Sequence, residues 1–171
     1  MSHQSAALPI AYVVLRLLIV LNWLVGAAIL VLLVWSLTFS VEKWAIALGA
    51  DPTPSVIMGL RAVAALGLVA IPLNHAVLRR LLAMVETVRA GDPFVAANAY
   101  RLHAIAWMLL ALQLLSMVIG GIGRAISTPE NPINFDAGFS VNGWLAVILT
   151  FVLARVFAEG TLMREDLEGT V

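Results

Sequence analysis

The chain predicts an all-α protein, a four-helix transmembrane bundle in one membrane domain, and three observations carry that prediction. Hydrophobic residues fill 62% of its 171 positions and charged ones 12%, with a mean hydropathy of +1.00; soluble domains carry about 25% charged residues. Long apolar stretches recur at the length, about 20 residues, that crosses a ~30 Å hydrocarbon core as a helix, the one open-chain structure that pairs all its backbone groups in lipid. The polar residues gather between those stretches.

Span one is Leu17 to Phe39, "LLIVLNWLVGAAILVLLVWSLTF", interrupted only by Asn22, Ser36 and Thr38. It reads as a retained span: signal peptides have apolar regions of roughly 7–15 residues behind a basic start, and residues 1–15 hold no Lys or Arg. Span two runs from Val56 to Leu78, with Arg61 near its start and Pro72, Asn74 and His75 near its end. Span three is Ala104 to Gly123. Span four, Phe139 to Ala158, is long enough only if Arg155 lies at the surface and lifts its head group into water.

Between spans two and three lies "VRAGDPFVAANAYRLHAIAW". Leu81, Val85 and Val88 share a helical face, so span two is expected to continue to about Ala90. Gly91 then suits a left-handed C′ position, Asp92 an N-cap and Pro93 a first helical turn. Val95, Ala99, Leu102 and Ala106 lead a second helix back, so residues 79–103 are expected as an αα-hairpin with a turn of about two residues. After Arg155 the pattern of Val156, Phe157, Leu162, Met163 and Leu167 among charged residues suits a further helical element, weakened by Gly160. The hairpin carries a net basic charge and the tail a net acidic one, which allows, without requiring, that tail 159–171 packs on hairpin 79–103.

Arg16, Arg79, Arg80, Arg89, Arg101, Arg155 and Arg164 fall at one end of the spans, against Lys43, Arg61 and Arg124 at the other. The positive-inside rule therefore puts both termini, hairpin and tail in the cytoplasm. Trp35, Trp44 and Trp144 are expected at the outer interface and Trp107 at the inner one.

Several functions are disfavoured. Zero Cys excludes disulfides and thiolate metal sites, and ten basic residues against ten acidic leave no net charge to recruit nucleic acid. No Asp or Glu lies within the spans before Glu159, which disfavours proton-coupled transport. His3, His75 and His103 do not supply the paired axial ligands of a buried haem. No hydrolase or nucleotide-binding signature is present, so neither metal nor cofactor is expected, and no enzymatic activity. Within the spans Asn22, Asn74, His75 and Gln113 are placed to hydrogen-bond between helices, and Pro72 to free a carbonyl for one of them. The glycines Gly120, Gly121 and Gly123, like Gly26, are read together as points of close helix approach.

The block Gly91–Leu102 and the ending Glu159–Val171, "EGTLMREDLEGTV", resemble an uncharacterised family of small bacterial membrane proteins with four spans, a domain of unknown function. Members share the Gly-Asp-Pro-Phe turn and a C-terminal EG..L..D.E.T(V/I) close, and their genes commonly lie beside a helix-turn-helix regulator. The resemblance implies residence in the bacterial cytoplasmic membrane and a cytosolic regulator as partner.

The leading expectation is thus a non-enzymatic inner-membrane protein whose cytoplasmic hairpin and tail bind a protein partner through Arg89, Asp92, Phe94, Asn98, Arg101, Arg164, Asp166 and Glu168. The alternative is a small carrier, channel or lipid-binding protein with a polar site near Asn74 and His75. A lipid-modifying enzyme ranks third, for want of an acid–base pair. Homo-oligomerisation is left open.

Overall fold

The structure, a computed structural model, describes residues 7–38, 53–127 and 136–168, with side chains up to Arg164. Trp44, Lys43, His3, most of the two expected outer loops, and the side chains of Asp166 and Glu168 lie outside the described residues.

Four helices follow one another: α1 (Ala7–Thr38), α2 (Pro54–Arg89), α3 (Ala96–Ile126) and α4 (Val141–Glu168). All four are long and apolar enough to span a membrane. Their lengths of 28 to 36 residues correspond to roughly 42–54 Å, well beyond a ~30 Å hydrocarbon core. Each helix packs on its neighbours in sequence, and packing between α1 and α4 is marginal, so the bundle is open along that side.

Contacts between α1 and α2 fix an antiparallel register. Arg61 bonds the carbonyl and hydroxyl of Ser36 at one end, while Gly67 faces Ile29 and Gly26 faces Ile71 in the middle. At the other end the Arg89 guanidinium lies over the Tyr12 ring. A Cβ on Gly26 would stand 3.0 Å from Ile71 Cγ2, so a larger residue there would press on the Ile71 side chain. Arg61 does what its position in the sequence did not reveal: it supplies a cation and donors to the last carbonyls of α1, where the helix dipole is negative. The register also shows that residues 7–16 form a helical extension of span one alongside the end of α2.

Pro72 leaves α2 continuous from Pro54 to Arg89. The expected pairing of a freed carbonyl does not occur there. Proline at 72 removes the donor for Leu68, whereas the Asn22 amide donates to the Ile71 carbonyl at 3.1 Å. Ile71 O faces α1 at the Gly26 crossing, which puts it within reach.

The buried apolar residues are Ile71 and Val77 of α2, Leu102, Ile105 and Ala106 of α3, and Val147 and Ala154 of α4, with Ile71 at the crossing with α1. The buried face of α3 differs from the purely apolar stripe expected. Asn98 and Gln113 join it, Ala99 is half-buried, and Val95 precedes the helix.

At the far end, Ser140 starts α4, its hydroxyl accepting the Gly143 N–H at 3.1 Å as an N-cap does. The strand of chain before it lies across α3. Gln113 donates to the Gly138 carbonyl at 3.3 Å, and the Gly138 N–H donates to Ser116 Oγ at 3.1 Å. That approach is allowed by Gly120, where a Cβ would stand 2.5 Å from the Ala137 carbonyl oxygen. Gly121 faces open space.

Candidate functional site

The hairpin end assembles from the turn outward. After Arg89 the Gly91 N–H donates to the Val88 carbonyl and the Asp92 N–H to the Thr87 carbonyl, both at 3.1 Å, with Gly91 at φ +86°. This is the double bond pattern of a Schellman stop, and only glycine takes that backbone without strain. Gly91 therefore stands where the sequence places it.

Asp92 does not. The chain stays extended through Val95, which is the N-cap of α3 with no side-chain capping bond, so the turn spans residues 90–95 instead of about two. Two competing partners account for the difference. The Asp92 carboxylate pairs with Arg164 of α4, and the Pro93 carbonyl accepts from the Asn98 amide at 2.8 Å.

Asn98 is the centre of this end. Its side chain is fully buried, donates also to Thr87 Oγ1 at 2.7 Å, and accepts from Arg101 Nη1 at 2.7 Å. Thr87 passes the chain on to the Met84 carbonyl at 2.7 Å. Every polar atom of the amide is thus engaged, and the end of α2, the turn and the start of α3 are tied through one side chain.

The extension of α4 closes on the same turn. Phe94 and Phe157 stack at 5.3 Å between centroids, Gly160 leaves room for the Phe94 ring, and Thr161 is buried, its hydroxyl bonded to the Phe157 carbonyl. Gly160 does not interrupt the helix; the Phe94 ring lies beside it, at a distance where a Cβ would make ordinary van der Waals contact. The tail therefore meets the hairpin, and the charges cross with the opposite sense to the net balance: the cation is on the tail and the anion on the turn. Both partners are more than two-fifths exposed, 44% and 42%, so Arg164→Ala is expected to cost no more than ~1 kcal/mol. Removing the ring contact with Phe94→Ala is expected to cost about 1–2 kcal/mol. Thermal unfolding of the two variants checks the order; a larger loss for Arg164→Ala would show the ion pair to be the main fastening.

Of the eight expected contact residues, Asp92, Phe94, Asn98, Arg101 and Arg164 thus meet in one network, while Arg89 belongs to a separate cluster with Tyr12 and Arg16. Their bonds point largely inward. The exposed neighbours Tyr100, Leu162 and Met163 were missed by sequence reading, since nothing in an apolar helical pattern marks which face another helix leaves uncovered. Tyr100 and Leu162 line a groove of about 580 Å³ between α3 and α4, floored by alanines such as Ala99, Ala154 and Ala158. At its membrane side His103, Trp107 and Phe151 form a cluster of edge-on rings, with Trp107 Nε1 donating to His103 Nε2 at 3.1 Å.

The intramembrane polar residues do not converge. Trp23 donates to His75 Nδ1 at 3.1 Å and Asn22 to Ile71, both fastening α1 to α2. Gln113 serves the segment before α4. Asn74 is half-buried with no hydrogen bond among the described residues.

A family model described as "Protein of unknown function (DUF2975)" matches residues 63–171, most of α2 and all of α3 and α4. No curated protein and no solved structure matches the chain.

Proposed function

The chain belongs to this DUF2975 family of proteins of unknown function, and from that premise we propose that it is a non-enzymatic protein of the bacterial cytoplasmic membrane. In this reading both termini are cytoplasmic. The hairpin and the α4 extension form one rigid surface that docks a cytosolic protein, and a helix-turn-helix regulator is the partner class to which the family resemblance points.

A single observation carries the reading: the latch of Phe94 on Phe157 and Gly160, reinforced by Asp92 and Arg164, joins α4 to the turn. Two helical extensions that would otherwise be independent are presented as one body, so a partner meets a preorganised face and loses less conformational freedom on docking. The contact surface is then Tyr100 and Leu162, which line the groove, with Met163 exposed next to Leu162 in the chain. The inward-facing Asn98 and Arg101 shape it. Support for the orientation is the run of arginines at the hairpin end, Arg16, Arg79, Arg80, Arg89, Arg101, Arg155 and Arg164.

The orientation is tested by Ala90→Cys, at an exposed position of a chain that otherwise has no cysteine. A membrane-impermeant thiol reagent is expected to leave intact cells unlabelled and to label inverted membrane vesicles. Labelling of intact cells would refute the cytoplasmic assignment. Docking is tested by a photoreactive residue at Tyr100 or Met163, with Val31 of α1, also exposed, as the lipid-facing control. A discrete protein adduct is expected at the first two and absent at the third. Identical products at all three positions would leave only lipid contact.

A further inference from the structure

We propose that Arg16 and Arg89 form a binding site for the phosphate of an anionic phospholipid, organised by the ring of Tyr12. The Arg16 guanidinium carbon lies 4.6 Å from the ring centroid and that of Arg89 5.0 Å. One comes from α1 and the other from the last turn of α2, so the fold brings them together from distant parts of the chain. The two cations are closer than the ~10 Å over which 0.1 M salt screens charge, so each disfavours the other.

The described residues neutralise them only in part. Neither arginine takes part in an ion pair; Glu86 lines the cavity beside Arg89 with Leu8 and Pro9 but forms no ion pair itself. The aromatic face contributes only ~0.5–1 kcal/mol per exposed cation, which holds the guanidiniums in place without cancelling their charge. An anion beside them supplies a counter-charge, and planar guanidinium forks match phosphate oxygens.

Depth selects a lipid over a soluble anion. Residues 17–38 of α1 are apolar apart from Asn22, Ser36 and Thr38, and at 1.5 Å per residue they cross about 33 Å, the thickness of the hydrocarbon core. Arg16 therefore stands at its edge, and Tyr12 one turn further out, at the level of the lipid phosphates. A zwitterionic headgroup fits less well, because its ammonium would face the same two arginines. This inference holds whichever face of the membrane carries the hairpin.

The full chain in nonionic detergent, titrated with phosphatidylglycerol, phosphatidylcholine and glycerol 1-phosphate and followed by thermal unfolding, tests the site. Phosphatidylglycerol is expected to raise the midpoint above the phosphatidylcholine curve, and glycerol 1-phosphate to leave it unmoved. Arg16→Gln or Arg89→Gln should each weaken the apparent affinity about fivefold, and the pair together about 25-fold, as loss of one and two interfacial cations requires. Arg124→Gln, at the opposite end, should have no effect. Each variant is compared with its own phosphatidylcholine curve, so a general loss of stability does not imitate loss of binding, and the single variants decide if the double one does not fold. Equal shifts from both lipids, an unchanged affinity in the arginine variants, or a full shift from glycerol 1-phosphate would each overturn the proposal, the last by assigning the site to a soluble phosphate ester.

Discussion

Asn98→Ala is expected to destabilise the protein by about 3 kcal/mol, more than any other single truncation at the hairpin end. The substitution removes two neutral hydrogen bonds, to Thr87 Oγ1 and the Pro93 carbonyl, and one charge-assisted bond from Arg101. Neutral bonds contribute about 1 kcal/mol each and charged ones ~1.5–3 kcal/mol. Loss of these partners around the Asn98 amide is the part that water does not readily repair, because Asn98 is fully enclosed. Thr87→Val breaks only one of these bonds and is expected to cost about 1 kcal/mol. Denaturant or thermal unfolding in a fixed detergent measures both. Amide exchange should also quicken in residues 90–98 of the alanine variant while the α1–α2 contact keeps its protection. A loss below about 1 kcal/mol for Asn98→Ala would mean that the turn is held by the helices on either side and not by this amide.

The second large effect separates two adjacent glycines. Gly120→Val is expected to cost about 3 kcal/mol, at the upper end of overpacking penalties, and Gly121→Val to change stability by less than about 1 kcal/mol. A Cβ at 120 meets the Ala137 carbonyl oxygen at 2.5 Å and Gly138 Cα at 2.7 Å, both backbone, so the whole segment before α4 has to move and its bonds to Gln113 and Ser116 go with it. A Cβ at 121 meets nothing within 4 Å. Valine also replaces a poor helix former in each case, which offsets a few tenths of a kcal/mol equally at both sites. Paired unfolding curves give the comparison directly. Equal losses at 120 and 121 would show that the helix, not the docked segment, is what tolerates no side chain there.

Local signals and tertiary outcomes diverge most clearly within the turn. Gly91 was legible because the requirement is local: a helix that stops needs a left-handed residue, and its bonds run to residues three and five places back. Asp92 carries an equally good local signal for an N-cap, yet it is drawn to Arg164, which lies 72 positions away. Gly160 reads locally as a weak point of a helix and lies in contact with the Phe94 ring. In each case a residue with short-range competence was claimed by a partner from another helix. Among the intramembrane residues Asn22, His75 and Gln113 were legible as polar groups in need of partners, but not as two separate fastenings, one between α1 and α2 and one at the start of α4.

The four apolar stretches and the stop at Gly91 were determined by the sequence alone, because solvent transfer and backbone conformation act on each segment without reference to the others. Which face of α3 is buried, which of two adjacent glycines admits a backbone, and that Asn98 ties the turn while Tyr12 gathers two arginines were decided by the tertiary structure. Those properties belong to pairs of residues far apart in the chain, and an amphipathic pattern that is apolar nearly all round, as a span in lipid must be, carries no mark of where the neighbouring helix will lie.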